Sequence, residues 1–474
     1  LNWGIGRVLC GFSIERSPYT TAPVLISTPA LECRTLLGYH GLSRSSGESP
    51  MLAPTPASPE SAGMSKAGFD RIEDHLKRRY IDAGRFPGTQ LVVYRRGNVV
   101  HSAVQGFADL ERKMPVKNDT IFRIYSMTKP ITSVAFMMLV EEGRVALDEP
   151  VHKYIPEWKN LGVFQAGTAP AFLTKPPARP MQIVDLMRHT SGLTYGFQQR
   201  GNVDAAYRDK QIGEVEKAGT LDTMIADLAK IPLEFSPGEA WNYSVSTDVI
   251  GYLIGKISGV PFEQFLKQRI FNPLGMADTD FFVPADKVDR FAACYNADPG
   301  GMMSFHAVEK KGGLTLQDDP TTSSFLTRPS LISGGGGLCS TAADYLTFCR
   351  ALLNGGELGG VRLIGPKTLA LMTTNHLPGG RDLPEMSRSM FAEATYNGIG
   401  FGLGFSVTMD PAKTLIPGSA GEYAWGGAAT TSFWIDPKEE LIAIFMTQVL
   451  PSSAYPVRRE LRTMVYAAIT DSNL

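Results

Sequence analysis

Ile124-Tyr125-Ser126-Met127-Thr128-Lys129 is the stretch on which the reading of this chain turns, because an apolar, β-rich approach gives way there to a helix. Pro130 suits a first helical turn, where its missing N–H leaves nothing unpaired. Ile131, Val134, Met138 and Leu139 then recur at helical spacing as far as Gly143. Ser126 is therefore placed at a helix N-terminus, with Lys129 one turn later on the same face. Unpaired N–H groups of the first turn can face a developing negative charge, and Lys129 can reach the Ser126 hydroxyl. On its own the spacing Ser-x-x-Lys carries little weight, since roughly one match is expected by chance in a chain of this length. A Ser N-cap beside an exposed Lys is the plain alternative, and the surrounding sequence has to decide.

Outward from this helix, both ends of the chain carry sheet-like patterns. After Ser65, the residues Phe69, Ile72, Leu76 and Tyr80 mark an amphipathic helix that leaves at Gly84. Thr89 to Tyr94 and Val99 to Val104 are β-rich runs on either side of Arg95-Arg96-Gly97-Asn98, a hairpin signature. A second hairpin, Thr430 to Ile435 and Leu441 to Thr447, spans Asp436-Pro437-Lys438, and a last helix shows Leu461, Met464, Val465 and Ala468 on one face. Helix plus hairpin at one end and hairpin plus helix at the other predict a single sheet assembled from both. The expected organisation is an α/β sheet domain from 59–155 and 330–474, with a helix- and loop-rich lobe inserted over 156–329. Residues 1–58 form an atypical extension: they lack either period, contain Ser/Pro/Thr-rich stretches, and precede or include the first methionine, Met51.

Two further stretches change the weight of Ser-x-x-Lys. Pro237-Gly238-Glu239-Ala240-Trp241-Asn242-Tyr243-Ser244-Val245-Ser246 leads into a helix predicted over Thr247 to Ile257. Glu422-Tyr423-Ala424-Trp425-Gly426-Gly427-Ala428 precedes the last hairpin and reads as the start of a strand. With these three pieces in this order, the sequence resembles the serine β-lactamase and penicillin-binding-protein superfamily, and within it the family VIII carboxylesterases, relatives of class C β-lactamases. The resemblance runs from about Pro59 onward and includes His189-Thr190-Ser191-Gly192-Leu193, Gly334 to Asp344, and Gly400 to Phe405. It implies an α+β, β-lactamase/transpeptidase-like fold: a mainly antiparallel sheet flanked by helices and joined to a helical lobe, with the site between them. It further implies Ser126 as acylated nucleophile, Lys129 as its activating partner and Tyr243 as a proton shuttle. Trp425-Gly426-Gly427 would border the substrate, and the N–H groups of Ser126 and Ala428 would form an oxyanion hole.

These roles have independent chemical grounds. A serine hydroxyl is a poor nucleophile until a base takes its proton. A lysine, with a reference pKa of about 10.4, becomes that base only in a desolvated site. Tyrosinate is the other candidate, and the sequence leaves open whether Lys129 or Tyr243 does the work.

Departures from the superfamily pattern select the substrate. Class C enzymes carry Tyr-x-Asn in the second motif; here Val245 stands at the third position and cannot hold an acylamino chain by hydrogen bonds. Their third motif begins with a lysine that attracts a carboxylate, and here Trp425 takes its place. A neutral, bulky wall favours uncharged esters over anionic peptides or β-lactams. Tyr125 joins Val245 and Trp425 as an expected substrate contact, and Tyr195, Phe197 and Trp241 are further candidates to line an acyl or alcohol pocket, with core packing the plainer reading for each of these aromatic residues except Trp425. No Gly-x-Ser-x-Gly elbow is present, and His189 and His376 read as loop-tying residues rather than triad members. The run Gly334-Gly335-Gly336-Gly337 lacks the Gly-Lys-Ser/Thr of a phosphate loop and reads as flexible backbone; Asp248 reads as a structural residue near a helix start.

Bulk properties bound the remaining classes. Hydrophobic residues at 43%, charged residues at 20% and a net charge of −1 fit a globular protein without a field for nucleic acid or acidic membranes. No run of about 18 apolar residues suggests a membrane span, and no signal segment is recognised, which points to the cytoplasm. Cys10, Cys33, Cys294, Cys339 and Cys349 are scattered and odd in number, with no metal-ligand spacing. The expectation is thus a carboxylesterase for short to medium esters, working on a small-molecule partner without metal or organic cofactor. Acyl transfer to an alcohol, β-lactamase or D-Ala-D-Ala peptidase activity, and a sensor acylated without turnover are the competing readings.

Overall fold

The structure, a computed structural model, describes residues 55–214, 219–297, 313–388 and 396–473. The chain divides between residues 47 and 48, and everything described belongs to the second unit, Glu48–Leu474. The proposed extension up to residue 54, with Cys10, Cys33 and Met51, lies outside the described residues.

Helix α1 (Lys66–Leu76) starts at Ser65, whose hydroxyl accepts the Gly68 N–H at 3.2 Å and so satisfies one unpaired donor of the first turn. Phe69, Ile72 and Leu76 are buried along its inner face, and Tyr80 continues the stripe in the wider turn that follows. Strands β1 (Gly88–Arg95) and β2 (Asn98–Asp109) form the expected hairpin about Arg96-Gly97. All eight residues of β1 are buried, as a strand covered on both faces must be.

From the far end of the chain come β3 (Ile399–Phe401), β4 (Ser406–Thr408), β5 (Tyr423–Gly426), β6 (Ser432–Asp436) and β7 (Leu441–Met446). Strand β7 lies antiparallel to β1, with Phe445 opposite Leu91, so the two ends share one nine-stranded sheet. Its order is Thr55–Pro56, β2, β1, β7, β6, β5, β4, β3, with Met114–Pro115 attached to β2. All these pairings are antiparallel except that of Thr55–Pro56 with β2.

Because side chains alternate along a strand, the sheet serves two cores. Leu91, Val93, Trp434, Ala443 and Phe445 face one way and pack with α1 and the last helix, α5 (Val457–Ala467). Val92, Tyr94, Phe433, Ile435, Ile442 and Ile444 face the other. There they meet α2 (Thr128–Glu141), α3 (Ser246–Ser258) and α4 (Ala342–Leu353). Thr128 to Leu139 are all buried, which makes α2 the central helix of that layer.

The stretch 156–329 holds helices and loops, together with strands that the sequence pattern does not announce. Val163–Thr168 and Ala171–Lys175 form an exposed hairpin, and Cys294–Asn296 joins Thr315–Asp318 and Val449–Leu450 in a small sheet. The hairpin residues are mostly solvated, so no buried face imposes the alternation by which a strand is recognised. Among the described residues, no helix is long and apolar enough to cross a membrane.

Candidate active site

The approach to Ser126 is fixed from below. The buried guanidinium of Arg123 donates to Asp318 Oδ2, to the Ala292 carbonyl and to Ser323 Oγ, and lies 3.9 Å over the Phe291 ring. The chain then enters a 3-10 turn, Tyr125–Met127, with Tyr125 at φ 42°, a left-handed conformation rarely adopted by an aromatic residue. Ser126 follows, half-buried, immediately ahead of α2.

Lys129, only 2% exposed, is the second residue of this helix, one turn beyond Ser126, and its Nζ is 3.3 Å from Ser126 Oγ. The amine donates to the Gly335 carbonyl at 2.6 Å and sits 4.4 Å from the centre of the Tyr243 ring. Tyr243 donates its hydroxyl to Ser126 Oγ at 2.7 Å. Tyr243 itself is held ahead of α3 by Gln198, whose amide donates to the Tyr243 carbonyl at 2.7 Å and to Asn242 Oδ1 at 3.1 Å. Ser126, Lys129 and Tyr243, separated by up to 117 residues, thus converge on one oxygen.

Burial sets the electrostatics. Loss of water pulls the Lys129 amine down to about 7, against the opposing pull of the Asp248 carboxylate. The Tyr243 hydroxyl is pushed up, again chiefly by burial, with its Ser126 contact working against the rise. Asp248 is raised by burial, and Lys129 counteracts that. His189 is fully buried and held well below its ordinary value by desolvation first and by Lys129 second. Its Nδ1 lies 3.2 Å from Ser244 Oγ, so it ties the 189–193 loop to the segment carrying Tyr243.

The third motif approaches from β5. Trp425 pairs with Phe433 and Gly426 with Ser432, after which the strand turns at Gly427, whose N–H donates to the Thr431 carbonyl at 2.8 Å. A Cβ on Gly427 would fall 2.4 Å from the Ile124 carbonyl oxygen and 2.3 Å from Thr431 Oγ1, so only glycine lets β5 come this close to the nucleophile turn. Arg458 of α5 braces the turn by donating to the carbonyls of Gly427 (2.5 Å) and Thr431 (2.8 Å).

These elements enclose a cavity of about 460 Å³. Tyr125, Ser126, Tyr243, Trp425, Gly426, Gly427 and Ala428 all line it, with Tyr195, Phe197 and Trp241, for which core packing is the plainer sequence reading. Val245 does not: it is fully buried beneath the cavity wall at the start of α3. The glycine run is also corrected. Gly334 to Gly337 are buried, and a Cβ on Gly335 would lie 2.6 Å from Asp248 Oδ2, so close approach rather than flexibility requires glycine there. Asp248, Gly335, Gln198 and Arg458 have no local signal, because their partners are distant in sequence. Among the described residues, no group of three or more His, Cys, Asp and Glu side chains is placed to hold a metal.

A serine touched by a buried lysine and a tyrosine, at the end of a strand of an antiparallel sheet, defines a serine hydrolase of the β-lactamase fold. The chain belongs to the beta-lactamase family, whose profile matches residues 69–467, and within that superfamily it aligns with the family VIII esterases. It is 36% identical over 378 residues to an uncharacterized protein of Mycobacterium tuberculosis, covering 79% of this chain and 88% of the relative. Esterase EstB of Burkholderia gladioli is 30% identical over 421 residues, covering 88% of this chain and 98% of the relative. Among solved structures, EstCE1, described as a hydrolase with promiscuous acyltransferase activity, superposes with a TM-score of 0.68 at 25% identity. That match covers 85% of this chain and 99% of the other.

Proposed function

We propose that the protein is a carboxylesterase that hydrolyses small, uncharged carboxylic esters through an acyl-enzyme on Ser126. The observation that carries this reading is the pair of contacts on Ser126 Oγ, Lys129 Nζ at 3.3 Å and Tyr243 Oη at 2.7 Å. A lysine near 7 is substantially neutral at ordinary pH and can accept the serine proton, whereas a tyrosine pushed upward keeps its proton and can give it away. Lys129 is therefore the base and Tyr243 the acid. Ser126 Oγ attacks the ester carbon as its proton passes to Lys129, and the carbonyl π electrons move to oxygen. The N–H groups of Ser126 and Ala428 receive that oxyanion. Collapse expels the alkoxide, which takes the Tyr243 proton, and Tyr243 recovers one from the Lys129 ammonium. Water then attacks the acyl-enzyme, with its proton taken by the same pair, and releases the acid with Ser126 restored.

The aromatic wall of Tyr125, Tyr195, Phe197, Trp241 and Trp425 supports an apolar acyl or alcohol group. The names of Esterase EstB and of Lovastatin esterase from Penicillium rubens point the same way. A second reading, transfer of the acyl group to an alcohol instead of water, is favoured by the described activity of EstCE1 and by the relative named Acyltransferase calJ from Penicillium decumbens.

The test is hydrolysis of p-nitrophenyl butyrate by the wild type, Ser126→Ala and Tyr243→Phe, with and without added alcohol. Turnover lost in Ser126→Ala and lowered at least ~100-fold in Tyr243→Phe supports the mechanism. Full activity in Ser126→Ala refutes it. Butyl ester formed from butanol at the expense of butyrate would make transfer the principal reaction.

A further inference from the structure

We propose that Asp248 is a positioning residue for Lys129: through Ser333 and Gly335 it holds the amine against Ser126 and sets the charge that the amine carries. This rests on the reading of Lys129 as base. Asp248 stands in the first turn of α3, 1% exposed, and its Oδ1 accepts the Ser333 hydroxyl at 2.6 Å and the Gly335 N–H at 3.0 Å. The carbonyl of the same Gly335 accepts the Lys129 amine at 2.6 Å. One residue thus links carboxylate to amine, its N–H bound to the first and its C=O to the second. A carboxylate fully removed from water is costly unless it is hydrogen-bonded, and this one accepts from both Ser333 and Gly335. Gly335 cannot be enlarged, because a Cβ would meet Asp248 Oδ2 at 2.6 Å and the Tyr195 hydroxyl at 2.9 Å.

The other titratable groups around Lys129 do not supply this charge. Tyr195 and Tyr243 are pushed upward by burial and remain neutral phenols, and His189 is held neutral by the same desolvation. Glu214 and Arg458 face the next ring outward, acting on Tyr195 and Tyr243 respectively. Among the described residues, Asp248 is the carboxylate that acts on the amine, and it favours the ammonium. The arrangement balances two needs: Lys129 must be neutral to take the serine proton and stable as a cation once it holds it.

The experiment is the pH profile of kcat/KM for p-nitrophenyl butyrate, products separated by chromatography after quenching, in the wild type, Asp248→Asn and Ser333→Ala. Asn keeps the shape and the acceptor but removes the charge, so the ammonium is destabilised. The acid limb should move down by about one pH unit. Ser333→Ala, which weakens the hold on the carboxylate, should move it the same way by less. Limbs that stay at the wild-type pH in both variants overturn the proposal, even where kcat falls, because a structural role alone leaves the midpoint in place. Should Asp248→Asn not fold, Ser333→Ala decides by the same criterion. Activity retained in Ser126→Ala would overturn both the mechanism and this inference, whereas loss there with unmoved limbs overturns the inference alone.

Discussion

Lys129 carries the main conflict of the site: a residue chosen for its charge is buried where charge is costly. Its folded pKa near 7 against an ordinary value of 10.5 means that, between those limits, the unfolded chain binds a proton that the folded chain does not. Stability from this group therefore rises with pH from about 7 to about 10.5, and below 7 the full penalty is present. Lys129→Met keeps the length and removes the titration. The variant should be inactive, and its advantage in unfolding free energy over the wild type should shrink as pH rises from neutral toward 10. Urea titrations at both ends of that window check this; a difference constant with pH would show that Lys129 folds without losing its proton affinity. The Ser126–Lys129 pair is legible in sequence because helix geometry is local, and Tyr243 only through the motif around it. Asp248 is not legible: its meaning arises where Gly335, 87 residues on, closes against α3.

Among the elements, β5 and its turn decide the reaction geometry, since the donor expected from Ala428 must sit within hydrogen-bond reach of an oxygen that exists only in the transition state. The turn is held by a side chain from another element, Arg458 of α5, through two carbonyls. Bonds from a charged donor are stronger than neutral ones, and misplacing such a donor by about 1 Å can cost on the order of 100-fold. Arg458→Ala should lower kcat for p-nitrophenyl butyrate by roughly 10–100-fold while leaving the Lys129 limb of the pH profile near its place. Arg458→Lys should restore part of the loss. Unchanged kcat in the alanine variant would mean that the turn holds its shape without the brace. The sequence shows the inner face of α5 through Leu461, Val465 and Ala468, because burial imposes a period. It does not show that Arg458 faces the turn, because backbone carbonyl partners leave no residue pattern. Val245 illustrates the reverse case, a motif position legible in sequence that the fold turns inward from the cavity wall.

For the molecule as a whole, the sheet sets the core built on α1 apart from the chemistry. Ser126, Lys129, Tyr243 and Asp248 sit with α2 and α3 on one face, whereas α1 and α5 pack their apolar stripes on the other. Helix α1 supplies Phe69, Ile72 and Leu76 to that second core and no wall of the cavity. Removing most of a side chain there loses its transfer free energy and leaves a void that neighbours close only in part. Ile72 is fully buried, so Ile72→Ala should lower unfolding free energy by about 2–5 kcal/mol. The void lies across β1, β7 and β6 from Ser126, and Ile72→Ala removes none of the hydrogen bonds between those strands. Turnover per folded molecule, normalised by titrating Ser126 with an organophosphate, should stay within about twofold of wild type. The urea midpoint should fall with an unchanged slope, the mark of altered stability without altered unfolding surface. A parallel fall of turnover and stability would instead mean that the two cores work as one unit through the sheet.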